Sequence, residues 1–131
     1  MRLLLDTHIW LWSVSEPERL SSRVASELKN PENELWLSPI SVWELIILKR
    51  KRRITVEADI DAVTPRALSA LPLREAPINF EVAREVGRLR LSHGDPADHF
   101  LVATAKVFDL TLVTADERLL GATEVSVLAN R

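Results

Sequence analysis

Arg2-Leu3-Leu4-Leu5-Asp6-Thr7-His8-Ile9-Trp10-Leu11-Trp12 begins with a short apolar run that stops at a carboxylate. Three leucines in a row are too few for a buried helix. They fit a strand covered on both faces, as in a parallel sheet. A strand over 2–6 is therefore expected, with a short helix over about 7–14. The same alternation recurs along the chain. Strands are expected at 34–37, 73–76, 111–114 and 125–128. Helices are expected at 21–30, 39–52, 65–71, 79–90 and 96–108, and a helical turn at 116–120. Ser38-Pro39, Thr64-Pro65 and Asp95-Pro96 each read as a capping residue followed by proline at the first helical position. The expected fold class is α/β, one domain spanning 1–131, with a central parallel sheet of about five strands and helices on both faces.

Composition removes several kinds of chemistry. The 131 residues are 47% hydrophobic and 27% charged, which suits a globular domain with a real core. The absence of cysteine excludes disulfides, thiolate zinc sites and cysteine nucleophiles, and a reducing cytoplasm is the expected setting. Three glycines leave no glycine-rich phosphate loop. No leader peptide or membrane span is expected, because no apolar run approaches the roughly 18 residues a spanning helix needs. The net charge of −2 argues against nucleic-acid binding by bulk charge, so any RNA contact would need local basic patches and bound cations.

Four acids stand out by position. In parallel α/β sheets ligands collect at the carboxyl ends of strands. Asp6 follows the first strand directly, and Asp116 follows Leu112-Val113-Thr114 by one residue, so both are expected at one sheet edge. Glu44 lies in Ile40-Ser41-Val42-Trp43-Glu44-Leu45-Ile46-Ile47-Leu48, where seven of nine residues are apolar. A carboxylate on so apolar a helix is costly unless paired or bound to metal. A capping box from Ser41 to Glu44 is the alternative. Asp98 opens a mostly apolar helix, with a role in the first turn behind Asp95 as its alternative. Such a cluster suits Mg²⁺ or Mn²⁺, which prefer oxygen ligands and bind through a few carboxylates plus substrate phosphate. One or two such ions can position water and neutralise the attacking and leaving oxygens of a phosphodiester.

Four stretches resemble the PIN-domain toxins of VapC type. They are Leu4-Leu5-Asp6-Thr7-His8-Ile9-Trp10-Leu11-Trp12, Leu37-Ser38-Pro39-Ile40-Ser41-Val42-Trp43-Glu44-Leu45, His93-Gly94-Asp95-Pro96-Ala97-Asp98 running into Leu101-Val102-Ala103-Thr104-Ala105, and Leu112-Val113-Thr114-Ala115-Asp116. They occur in order over nearly the whole chain. The resemblance implies a PIN fold, a Mg²⁺- or Mn²⁺-dependent endoribonuclease, a homodimer, and inhibition by an antitoxin encoded beside it. It maps the acidic quartet onto Asp6, Glu44, Asp98 and Asp116; from their positions at strand ends and on apolar helices, Asp6 and Asp98 are the expected direct metal ligands. Asp95 is an additional acid, and Thr114 a hydroxyl that helps hold the last aspartate or a water. His99 departs from the arginine common in relatives at that place.

Other residues have plainer readings. The five basic residues at 49–53 fit either an RNA or antitoxin contact or a solvated helix end. Arg84, Arg88 and Arg90 fit solvated helix positions. Trp10, Trp12, Trp36 and Trp43 fit core or dimer packing better than base stacking. His8 fits a structural role, and His93 is close to the site by spacing. Thr7 and Ser38 fit helix caps. Crowding among the four acids should raise at least one pKa. With no lysine or arginine inside the four motifs, an antitoxin arginine is the expected partner for the acids, and the helix over 39–52 with Trp10 and Trp12 the expected walls of its apolar groove. Two rival classes stay open. A phosphoacceptor receiver domain lacks here the acidic pair after the first strand and the lysine after the last. A non-catalytic PIN module that only binds RNA or a partner would be expected to have lost acids that this chain keeps.

Overall fold

The computed structural model describes residues 1–51, 60–91 and 95–131. Among them the strands are β1 (Arg2–Leu5), β2 (Glu34–Leu37), β3 (Leu73–Glu75), β4 (Thr111–Thr114) and β5 (Val127–Ala129). The helices are α1 (Thr7–Ser15), α2 (Ser22–Lys29), α3 (Pro39–Arg50), α4 (Ile60–Ser69), α5 (Phe80–Val86), α6 (Pro96–Phe108) and α7 (Glu117–Leu120), with a 3-10 turn at Pro17–Arg19. The five strands form one sheet in the order β3-β2-β1-β4-β5. Every pairing is parallel. Each link between parallel neighbours therefore crosses a face of the sheet, and helices cover both faces.

The leucine triplet shows why β1 is central. Leu3, Leu4 and Leu5 are all fully buried. Leu3 and Leu5 join Ile9, Trp10, Val24 and Leu45 in one core cluster. Leu4 points the other way, into a cluster with Leu101, Val102, Leu112 and Leu119. Side chains alternate across a strand, so a strand covered on both faces has no polar position. Burial of each leucine contributes about 2 kcal/mol, and the first residue that need not be buried this way is Asp6.

Three expectations need correction. Thr64-Pro65 does not start a helix: α4 begins at Ile60, and Pro65 lies inside it. A proline inside a helix has no N–H to donate, so α4 forfeits one backbone bond there. Helix α5 stops at Val86 with Gly87 as its C-cap, so Arg88 and Arg90 lie beyond a helix that ends four residues early. Strand β5 starts at Val127, two residues later than the apolar run at 125–128 suggests. No helix among the described residues is long and apolar enough to cross a membrane.

Candidate active site

Strands β1 and β4 are neighbours in the sheet, so the residues that leave their carboxyl ends emerge side by side. Asp6 caps α1, its Oδ1 accepting from the Thr7 backbone N–H at 2.7 Å. Its Oδ2 accepts from the Thr114 hydroxyl at 2.6 Å. Thr114 is fully buried, and its Oγ1 accepts in turn from the Asp116 backbone N–H at 3.0 Å. One hydroxyl thereby ties the first acid to the backbone of the last. The expectation that Thr114 helps hold the last aspartate agrees with its bond to the Asp116 backbone, and the same hydroxyl also donates to the first aspartate.

Glu44 reaches the same place from α3. Ser38 caps that helix, its Oγ accepting from Ile40 N–H at 3.1 Å, so the Ser41–Glu44 capping box is not formed. Thr7 Oγ1 donates to Glu44 Oε1 at 2.5 Å and lies 2.8 Å from Ser41 Oγ. Asp95 caps α6 through Ala97 N–H at 3.0 Å, and Asp98 is buried in the first turn of that helix. Asp6, Glu44, Asp95, Asp98 and Asp116 all line one cavity of about 1030 Å³. Thus all four predicted acids and the auxiliary Asp95 face one space.

Burial pushes the Asp6 carboxyl above the usual range, helped slightly by Asp116 and opposed by the Thr114 and Thr7 hydrogen bonds. Burial also pushes Glu44 up to about 7; the Thr7 bond opposes it, and the charges of Asp6, Asp95 and Asp98 add to it. Raised acids were expected from crowding, but desolvation is the larger cause.

Arg118 is the residue that sequence reading missed. Its Nε donates to Asp116 Oδ1 at 3.2 Å and its Nη2 to Asp116 Oδ2 at 2.9 Å. The same Nη2 lies 3.5 Å from Asp98 Oδ2 and 3.9 Å from Asp95 Oδ2. The four motifs hold no lysine or arginine, yet the chain brings a cation of its own to the acids from just outside them. Arg118 falls two residues outside the last motif, and a helix start there carries it back across the pocket. Among the described residues, no three ligand side chains already close on one point at metal-bonding distance.

The remaining expectations divide. Trp10 is core, its indole N–H donating to Ala67 O at 3.1 Å, and so cannot be a groove wall. Trp12 does line the cavity, under the Arg19 guanidinium at 4.3 Å. Trp36 stacks on Phe108 with Arg2 over its ring, while Trp43 is exposed. His8 is exposed on the cavity wall, with its ring 5.7 Å from that of Trp12, rather than serving the core. His93, Arg52 and Arg53 lie outside the described residues. Lys49 and Arg50 occupy the last turn of α3, and Lys51 caps it.

Comparison with known proteins agrees with this geometry. A sequence profile of the PIN domain matches residues 3–124. Ribonuclease VapC22 of Mycobacterium tuberculosis is 35% identical over 118 residues, covering 89% of this chain and 88% of that protein. Among solved structures, VapBC2 from Rickettsia felis bound to a promoter DNA fragment superposes with a TM-score of 0.72 at 16% identity, covering 98% of each chain. A toxin–antitoxin complex from Klebsiella pneumoniae superposes with a TM-score of 0.67 at 23% identity, again over 98% of each chain.

Proposed function

The chain belongs to the PIN-domain family, among its VapC-type ribonucleases, and we propose that it is the toxin of a toxin–antitoxin pair that hydrolyses RNA phosphodiester bonds at the Asp6–Glu44–Asp98–Asp116 pocket. The observation that carries this reading is convergence. Four acids delivered by β1, α3, α6 and β4 line one cavity, two of them with pKa values raised. A purely structural cluster at that cost in desolvation has no evident purpose.

The donor set fits a hard divalent cation. It offers carboxylate oxygens with hydroxyls behind them and no soft ligand. Asp6 and Asp98, the two most buried acids, would be direct ligands, with Glu44 and Asp116 completing the charge and Asp95 auxiliary. A bound Mg²⁺ or Mn²⁺ would supply charge neutralisation and lower the pKa of an attacking water. The chain's own residues do the positioning. Thr114 orients Asp6, Thr7 orients Glu44, and the cap bonds of α6 and α7 fix Asp95 and Asp116. The Ser41 and Thr7 hydroxyls provide a buried polar floor beneath Glu44. The partners implied are an RNA substrate, a cognate antitoxin and a second copy of the chain. Cleavage of a fluorescent RNA with added Mn²⁺, wild type against Asp6→Asn, is the test. Activity confined to the wild type is expected; equal activity in Asp6→Asn would reject the mechanism, and no activity in either would favour a module that only binds.

A further inference from the structure

Arg118 stands where a cation would stand. One nitrogen, Nη2, lies within 4 Å of carboxylate oxygens of Asp95, Asp98 and Asp116. These acids come from the start of α6 and the start of α7, and Arg118 itself is the second residue of α7. The guanidinium holds Asp116 with two donors, the forked geometry that arginine gives to a carboxylate. The side chain is nevertheless 54% exposed. It can swing into solvent by its own torsions, with no change in the backbone. Arg19 also lines this cavity but is engaged elsewhere, over Trp12 and with Glu16.

We propose that Arg118 is the resident cation of the site: it gathers Asp95, Asp98 and Asp116 in the metal-free protein, is displaced when a divalent cation enters, and then binds the RNA phosphate at the cavity mouth. The proposal rests on the reading of these acids as a metal site. Displacing Arg118 leaves it without an anion, which opposes metal binding in the free protein. An RNA phosphate gives the displaced guanidinium a new partner. Metal and RNA therefore bind with positive coupling, each strengthening the other by the same factor.

The test uses the full chain as wild type, Arg118→Met, Arg118→Lys and Arg19→Met. Mn²⁺ affinity is measured by calorimetry, and affinity for a fluorescent 2′-O-methyl RNA, its integrity checked on a gel, by anisotropy with and without Mn²⁺. Arg118→Met should bind Mn²⁺ about fivefold tighter than wild type or more. Arg118→Lys, which keeps the charge but not the fork, should fall between. Arg19→Met, which removes a charge from the same wall, should stay near wild type. Mn²⁺ should tighten RNA binding to the wild type and do so less in Arg118→Met. Equal Mn²⁺ affinity in wild type and Arg118→Met overturns this inference alone, as does an equal gain in Arg19→Met. RNA affinity that Mn²⁺ leaves unchanged in the wild type, absent binding included, overturns the transfer of Arg118 to phosphate. No Mn²⁺ binding by any of the four proteins would overturn the metal reading and this inference with it.

Discussion

Glu44 is an acid whose ordinary pKa near 4.5 is pushed up to about 7 by burial first and by Asp6, Asp95 and Asp98 after it. The folded state therefore holds a proton on Glu44 that the unfolded state has lost. Between pH 4.5 and 7 the unfolded chain binds fewer protons, so stability falls as pH rises through that window. Metal-free wild type should accordingly melt lower at pH 7.5 than at pH 5, and Glu44→Gln should flatten that slope. Added Mg²⁺ should restore stability at neutral pH with release of protons, seen by calorimetry in two buffers of different ionisation enthalpy. A flat wild-type profile would mean that Glu44 is not desolvated in solution. At the same scale, Asp6→Asn, Glu44→Gln, Asp98→Asn and Asp116→Asn should each lower RNA cleavage roughly 100-fold or more with the fold intact. Asp95→Asn should cost less, because Asp95 caps α6. Thr114→Val keeps the shape and removes the donor to Asp6; it should weaken Mn²⁺ binding by about tenfold or more with little change in melting temperature. The acids were legible in the sequence because strand ends and apolar helices mark where a carboxylate is out of place. Arg118 was not, because its role depends on the reach of a long side chain back across a pocket, which spacing along the chain does not encode.

At the scale of elements the sequence was most legible where apolar runs have hard borders. Strands β2 and β4 and helix α6 occur at the expected residues, because capping residues and prolines bracket them. Borders failed where the signal was a single residue. Thr64-Pro65 reads as a helix start, but Pro65 lies within α4, two residues before the buried Ala67. Helix α5 ends at Gly87 although polar and apolar residues continue the pattern beyond it. Gly87 has φ −68 and ψ −14, an ordinary right-handed conformation. Among the described residues a β-carbon there would meet only Arg84 O, at 3.5 Å, an ordinary contact. Nothing among the described residues therefore requires glycine. Gly87→Ala should stabilise the protein by about 0.5 kcal/mol, chiefly by restricting the unfolded chain. Urea denaturation with an unchanged slope and a higher midpoint would bear this out. A lower midpoint would show that α5 must stop at Gly87 for its contact with α6.

For the whole molecule the decisive quantity is where charge sits, not how much there is. A net charge of −2 gives no general attraction for RNA, and six acids, the five of the candidate site and Glu16, line one cavity. The other wall of that cavity is partly apolar, with Leu11, Trp12, Val14 and Val63. A surface of this kind suits a protein partner that presents a basic side chain next to an apolar segment. That is the form in which the proposed antitoxin would close the site. Trp10 is no part of this groove, since it is fully buried; Trp12 is. The structure also changes what the partner's arginine must do. Arg118 already holds Asp116 and approaches Asp98, so an incoming guanidinium has to displace it or share the acids with it. Removing acids should therefore weaken the complex, and removing Arg118 should strengthen it. The expected order of affinity for the cognate antitoxin is Arg118→Met above wild type, and wild type above Asp98→Asn with Asp116→Asn combined. The salt dependence of binding should be shallowest in the double variant, which has lost two of the charges that attract the partner. Titrations at two ionic strengths measure both. If all three proteins bind with the same affinity and the same salt slope, the antitoxin acts away from the acids, by covering the apolar wall or by acting on the proposed dimer.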